Sequence, residues 1–386
     1  MTTDTVQRAS DPAAILDAVR ALIPTIASRR DEIEQGRRLP PDLVDRLREV
    51  GCFRMLVPRR VGGAEAALAD HMTMLRELAR ADGSVGWTVM IGSAAPFILG
   101  MLPAATFDAI YAGGPDVVFA GAFNPTGRAT PVEGGFRVTG RWAFASGCQH
   151  ADWFVGHCVV DDGRILPVRM MVLPAAEVEI LDTWTVSGLC GTGSHDFAVD
   201  GTFVPDERTF SVFEGGAVEG PLGRIPELAI SSLEIANVAI GIAEGALAEV
   251  TSLATAKVPM LADAALAANP LFRYQLGESD ARLRAARALL DADVDSAWAT
   301  ALAARDFTPE LRARLRATAT WVTTAAADVV DTAYTAGGGS ALYGSSPLQR
   351  HLRDAHAITQ HFAVKQDTFM LVGAVLAGQD VDLSFL

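Results

Sequence analysis

The spacing of apolar residues changes twice along the chain and divides it into three zones. In the first, PPDLVDRLREVGCFRMLVP carries Leu43, Leu47 and Val50 at helical spacing, with Pro40 and Pro41 at its start and Gly51 at its end. A second helix is predicted from about Ala67 to Arg80, with Met72, Leu75, Leu78 and Ala79 on its inner face. The middle zone shifts to short β-branched or aromatic runs (DVVFAGAF, GFRVTGRWAFAS, DWFVGHCVV and MMVLP) punctuated by GG, DDG and Pro. That pattern predicts an antiparallel β domain rather than βαβ units. Ala-rich periodic sequence then returns and predicts long helices near 225–255, 270–305, 308–336 and 346–377. The expected fold is α+β, mainly α. A helical domain over residues 1–115 precedes an antiparallel β domain over 116–224, and a four-helix bundle fills 225–386.

One stretch departs from amphipathic periodicity. Gly83 to Phe107 carries no charge, which is long enough to cross a bilayer. Pro96 and Pro103 interrupt it and amphipathic sequence flanks it, so a buried helical hairpin is expected instead. The N-terminal MTTDTVQRASDPAAILDAV lacks a basic region followed by an apolar one, so no signal peptide is expected. The four cysteines form no CxxC pair or dense framework, which fits a reduced, cytoplasmic protein. With 386 residues, half of them hydrophobic, a large core is within reach. A net charge of −14 argues against a nucleic-acid groove, which needs clustered cations.

Three motifs carry candidate chemistry. The first is Gly140-Arg141-Trp142-Ala143-Phe144-Ala145-Ser146-Gly147-Cys148. Strand alternation would put Trp142, Phe144 and Ser146 on one face, where aromatics pack a planar ring and a hydroxyl meets its polar edge. Read on spacing alone, a sandwich core accounts for the same residues. The second runs from Trp184 through Gly188-Leu189-Cys190-Gly191-Thr192-Gly193-Ser194-His195-Asp196 to Val204-Pro205, a glycine-rich turn region. The third is Thr335-Ala336-Gly337-Gly338-Gly339-Ser340, followed by LQRHLRDAHAITQH, residues 348–361. Its glycines expose backbone N–H groups that suit a phosphate, although no P-loop or GxGxxG motif is present. Ser346 and Pro347 read as the N-cap and first residue of the last helix.

Taken in this order, GRWAFASG, W…GLCGTGSHD…VP and LQRHLRDAHAITQH resemble the two-component flavin-dependent monooxygenases (group D type) built on the acyl-CoA dehydrogenase fold. The resemblance spans about Asp31 to Ala377. It implies an acyl-CoA dehydrogenase-like architecture and a homotetramer. It also implies reduced flavin, FMNH2 or FADH2, delivered by a separate NAD(P)H-dependent flavin reductase. O2 and a small organic substrate would then react through a C4a-hydroperoxyflavin. By the same resemblance, Trp142, Phe144, Ala145 and Ser146 form part of the flavin pocket, with Ser146 near the flavin N5 edge. Asn124 and Trp184 border the ring. Arg273 and the Gly337–Ser340 loop, including Gly338 and Gly339, meet the flavin phosphate from a neighbouring subunit. His361 faces flavin and substrate.

The histidines do not point to a metal. His351, His356 and His361 are five apart, a turn of about 140° per step on a helix, so no zinc or iron site is expected. Asp354 and His361, seven apart, would share a helix face about 10 Å apart along its axis. Two departures from the family pattern stand out. Gly92-Ser93-Ala94-Ala95-Pro96 replaces the segment where related phenol hydroxylases carry a histidine, and Cys190 stands where an arginine is usual. Two other readings remain at this stage. An acyl-CoA dehydrogenase-like FAD oxidoreductase would need a carboxylate base, and residues 335–375 contain no Glu. A catalytically silent flavin-binding scaffold would bind flavin without consuming oxygen.

Overall fold

The computed structural model describes residues 11–161, 168–211 and 220–382. Met1–Ser10 of the N-terminal stretch, and Asp162 and Gly163 of the DDG punctuation, lie outside the described residues. The N-terminal helices are α1 (Pro12–Ser28), α2 (Arg30–Gly36), α3 (Pro41–Val50), α4 (Leu68–Ala81), α5 (Gly83–Ser93), α6 (Ala95–Leu99) and α7 (Ala104–Ile110). α3 stops where Gly51 turns left-handed at φ 95°. α4 buries the four residues assigned to its inner face. The charge-free stretch forms α5 to α7. Asp82 caps α5 by accepting the Val85 N–H at 3.1 Å, and nearly every α5 residue is buried. An all-apolar helix is stable here because helices and sheet cover it on every side.

The strands are β1 (Phe119–Val132), β2 (Gly135–Trp142), β3 (Trp153–Val160), β4 (Val168–Pro174), β5 (Glu179–Leu181), β6 (Asp196–Pro205) and β7 (Thr209–Phe210). They form one sheet in the order β5-β6-β2-β1-β3-β4-β7. Pairing is antiparallel except between β1 and β3, which run parallel. Trp142, Phe154 and Phe197 fill a small core of its own on one face. The other face, through Phe119, Val155, Met170 and Val172, joins the large helical core.

The bundle comprises α8 (Glu227–Ala256), α9 (Pro270–Leu302), α10 (Pro309–Gly337), α11 (Pro347–Thr359) and α12 (Thr368–Leu376). α8 is long and apolar enough to cross a membrane by composition, but most of it is buried at the bundle centre. The last helix does not run unbroken over 346–377. It stops at Thr359, makes one 3₁₀ turn over Phe362–Val364 and restarts at Thr368.

Candidate active site

The first motif does not continue as a strand. β2 ends at Trp142, and the expected alternation ends with it. Trp142 is 1% exposed, stacked on Phe197 at 4.8 Å, and its indole N–H donates to His157 O at 2.8 Å. It lies over Gly127, Gly140 and Gly156, where an added Cβ would come within 2.2–2.8 Å of the indole. Trp142 is therefore a core residue and does not line a pocket with Phe144 and Ser146. Phe144 is 72% exposed and left-handed at φ 68°. Its ring meets Trp184 edge-on at 6.1 Å. A phenylalanine held outward in a sparsely populated conformation marks this corner as a candidate contact surface. Asn124 is exposed, in the stretch where β1 loses register with β3, and His157 Nδ1 fixes the neighbouring Phe123 carbonyl at 2.8 Å. Ala145 is buried beside this corner.

Ser146 is 6% exposed and sits in a line of hydrogen bonds. Trp87 Nε1–H of α5 donates to Ser146 Oγ at 3.0 Å, and Ser146 Oγ lies 2.7 Å from Ser194 Oγ. Ser194 Oγ lies 2.7 Å from Thr192 Oγ1, which donates to Leu189 O at 2.8 Å. Across Trp87, the ring of His361 packs edge-on at 5.6 Å. The two expected catalytic residues thus flank one indole. Sequence reasoning missed Trp87, Thr192 and Ser194. The available signal was a Trp in an otherwise apolar helix, whose N–H must find a partner once buried.

His361 lies beyond the end of α11, so it shares no helix face with Asp354. It caps the 3₁₀ turn, with Nδ1 accepting the Ala363 N–H at 3.3 Å. The proton of the neutral ring is therefore on Nε2. Burial, with a smaller contribution from Arg316, pushes its pKa down to about 4. At neutral pH His361 is an uncharged N–H donor rather than an acid. His351 is buried and His356 faces Asp331 at 2.7 Å, so the histidines do not converge.

The second motif is the hub that docks β domain to bundle. Leu189, left-handed at φ 52°, donates its N–H to Asp354 Oδ1 of α11 at 2.6 Å. Arg353 donates to Ser187 O at 2.6 Å and pairs with Glu34 at 2.5 Å. Gly188 is required because a Cβ there would sit 2.1 Å from Arg353 O. Asp354 is fully buried; desolvation first, then nearby Asp82, raises its pKa to about 7. His195 Nδ1 accepts the Thr183 and Trp184 N–H groups at 3.1 Å each, which sets the Trp184 backbone. Burial raises the Cys190 pKa, so that thiol supplies no charge where the family has arginine.

The third motif lies elsewhere. Lys257 Nζ donates to Gly337 O, and Gly338 turns with φ 53°. A Cβ on Gly339 would meet nothing within 4 Å. Arg273, exposed on the first turn of α9, donates to Ala267 O at 2.8 Å. Arg316 of α10 donates to Ala363 O beside His361, whereas Gly337 ends the same helix 21 residues on. At 1.5 Å per residue that separation is about 30 Å. The chain therefore does not bring Gly338, Gly339, Ser340 and Arg273 to the Ser146 corner.

The Ser146 corner fits a flavin. Phe144 and Trp184 offer an aromatic wall, and Ser146 Oγ keeps one hydrogen-bonding position after its two contacts. Thr88 Oγ1, next to Trp87, is buried without a partner. Residues 10–101 match the acyl-CoA dehydrogenase N-terminal domain and residues 233–366 match the acyl-CoA dehydrogenase C-terminal domain. An indole-3-acetate monooxygenase of Pseudomonas putida is 35% identical over 96% of this chain and 95% of its own. The oxygenase subunit of a flavin-dependent monooxygenase from Rhodococcus jostii is 32% identical over 89% and 92%. The crystal structure of a 3-HSA hydroxylase from Rhodococcus superposes with a TM-score of 0.92 at 29% identity, covering 97% of this chain and 99% of that one.

Proposed function

The chain belongs to the flavin-dependent monooxygenases of the acyl-CoA dehydrogenase fold, and we propose that it oxygenates a small planar aromatic substrate at the corner bounded by Phe144, Ser146 and His361. It is the oxygenase component, working with reduced flavin. Bound reduced flavin supplies the two electrons that activate O2, so that one oxygen atom enters the substrate and the other leaves as water.

The protein's part is placement, dryness and one donor. Phe144 and Trp184 would hold the ring, with Asn124 beside it, and Ser146 would hydrogen-bond its polar edge. Buried α5 excludes water from the same side, which suppresses loss of oxidising equivalents as peroxide. His361, with Nδ1 occupied by the Ala363 N–H, would offer Nε2–H to the oxygen being transferred. Gly92–Pro96 carry no histidine, and their one hydroxyl, on Ser93, is buried and donates to Met90 O at 3.2 Å, which favours a heteroaromatic substrate of the indole acid kind over a phenol.

A second copy would complete the phosphate end. Arg273 and the Gly338–Ser340 loop would hold the phosphate of a flavin bound mainly by a neighbouring subunit, within a homotetramer. The nine-residue, apolar α12 supports this, because only Thr368 and Val372 are buried while Met370 and Leu376 are largely exposed. A separate NAD(P)H-dependent reductase supplies the flavin, in the cytoplasm. The observation that carries the reading is Trp87, which joins Ser146 to His361. Enzyme mixed anaerobically with reduced FMN or FAD and an aromatic panel, then pulsed with ¹⁸O2, should yield product bearing one ¹⁸O atom. Complete recovery of the oxygen as hydrogen peroxide with every aromatic would overturn it.

A further inference from the structure

The hydroxyl line at Ser146 has a direction, and the distances fix it. Two oxygens 2.8 Å apart need a hydrogen between them, and the Leu189 carbonyl has none to give, so Thr192 donates. Thr192 has then spent its only hydroxyl proton. The 2.7 Å contact with Ser194 must be filled by the proton of Ser194. By the same reasoning, Ser146 gives its proton to Ser194 across 2.7 Å and accepts from Trp87 Nε1–H at 3.0 Å. Every proton in the line points toward Leu189. The anchor is itself fixed, since Leu189 is held left-handed by its N–H bond to buried Asp354.

Ser146 therefore has no proton left for a ligand and one lone pair to offer. We propose that Thr192 and Ser194 are positioning residues that hold Ser146 as a hydrogen-bond acceptor, so that the site selects reduced flavin over oxidised flavin. Reduced flavin carries a hydrogen on N5 and can donate to Ser146. Oxidised flavin has only a lone pair at N5 and faces another lone pair. To serve the oxidised form, Ser146 would have to turn its proton outward and leave the contact with Ser194 unfilled, in a buried site where an unmade hydrogen bond is costly. The consequence is release of flavin once it is oxidised. This rests on the proposed placement of Ser146 at the N5 edge.

The test is the ratio of dissociation constants for oxidised and reduced flavin, with FMN and FAD each titrated aerobically and anaerobically. Thr192→Val keeps the shape but removes the acceptor of Ser194. Ser194 then turns its proton to Ser146, and Ser146 turns its own outward. Oxidised flavin should gain and reduced flavin lose, lowering the ratio by about tenfold or more, a fall of about 30 mV in bound-flavin potential per tenfold. Ser194→Ala frees the Ser146 proton by another route and should shift the ratio the same way, so it carries the test if Thr192→Val does not fold. Thr192→Ser restores the hydroxyl and should restore the ratio. Folded Thr192→Val or Ser194→Ala protein with a wild-type ratio, including equal weakening of both forms, overturns the proposal. Ser146→Ala separates this from failure of the site itself: unchanged affinity for both forms would mean that flavin does not contact Ser146 at all.

Discussion

The two ends of α10 are built differently. Toward the Arg316 end, Trp87 packs against His361 and donates to Ser146, and from there Ser194, Thr192 and Leu189 carry hydrogen bonds on to Asp354, all within one chain. At the Gly337 end the loop is open, Leu342 and Tyr343 are exposed, and exposed Arg273 donates to the Ala267 carbonyl. The first end is organised before any ligand arrives, which is what a reaction needs. The second is unfinished until something covers it. On the function proposed above, chemistry is fixed by the fold, whereas cofactor affinity is left to assembly.

Breaking assembly should have the largest effect. Met370→Glu with Leu376→Glu places charge on the apolar α12 face and should give monomers. Flavin affinity should fall on the order of a thousandfold, the scale lost when two half-sites stop acting together. Light scattering with flavin titration checks this; monomers binding flavin as tightly as wild type would erase the distinction between the two ends.

Asp354 tests how firmly the first end is set. Its folded pKa, about 7, lies above the ordinary value of 3.8, so the folded state holds a proton that the unfolded state releases between those values. The group's contribution to stability therefore falls as pH rises from about 4 to about 7. Asp354→Asn removes that cost while keeping an acceptor for Leu189 N–H. Urea melts should show the variant more stable than wild type by about 2 to 4 kcal/mol at pH 8 and nearly equal at pH 4. His351 and His361 act oppositely, with pKa values pushed down to about 3 and about 4, and lose stability as pH falls below about 6.5.

A smaller effect is expected at the donor. His361→Ala should cut product formed per flavin oxidised by about tenfold, with the balance appearing as peroxide, while flavin affinity holds. Unchanged coupling measured by product and peroxide assays would reduce His361 to a cap. The smallest effect separates two aromatics of one motif. Phe144→Ala should leave the melting temperature nearly unchanged and weaken flavin binding by a few-fold. Trp142→Phe should do the reverse, lowering stability with little change in binding.

Much of the architecture was legible because period and composition change together where helices give way to strands. The inner face of α4 and the burial of α5 followed from spacing and absence of charge. The break in the last helix was not legible, since residues 360–367 contain neither Gly nor Pro. It is imposed from outside, by Arg316 capturing Ala363 O and by burial of Ala363 and Val364. The alternation through GRWAFAS failed for a similar reason. Phe144 leaves the strand conformation, so Trp142 stays in the sheet core while Ser146 reaches α5. Phe144, Ser146 and His361 were named by resemblance. The grouping of Ser146 and His361 around Trp87 was not, because a through-space contact between α5 and residues 59 and 274 positions away leaves no local pattern.

The most direct test of the account is the fate of oxygen in Ser146→Ala. Loss of a buried hydrogen bond costs about 1–3 kcal/mol, so peroxide release should quicken by roughly one to two orders of magnitude. With substrate present, stopped-flow oxidation of the reduced, flavin-loaded variant should then deliver most oxidising equivalents as hydrogen peroxide, while wild type delivers them to product. A folded Ser146→Ala enzyme that couples flavin oxidation to product as wild type does, and differs only in melting temperature, would place the active site elsewhere.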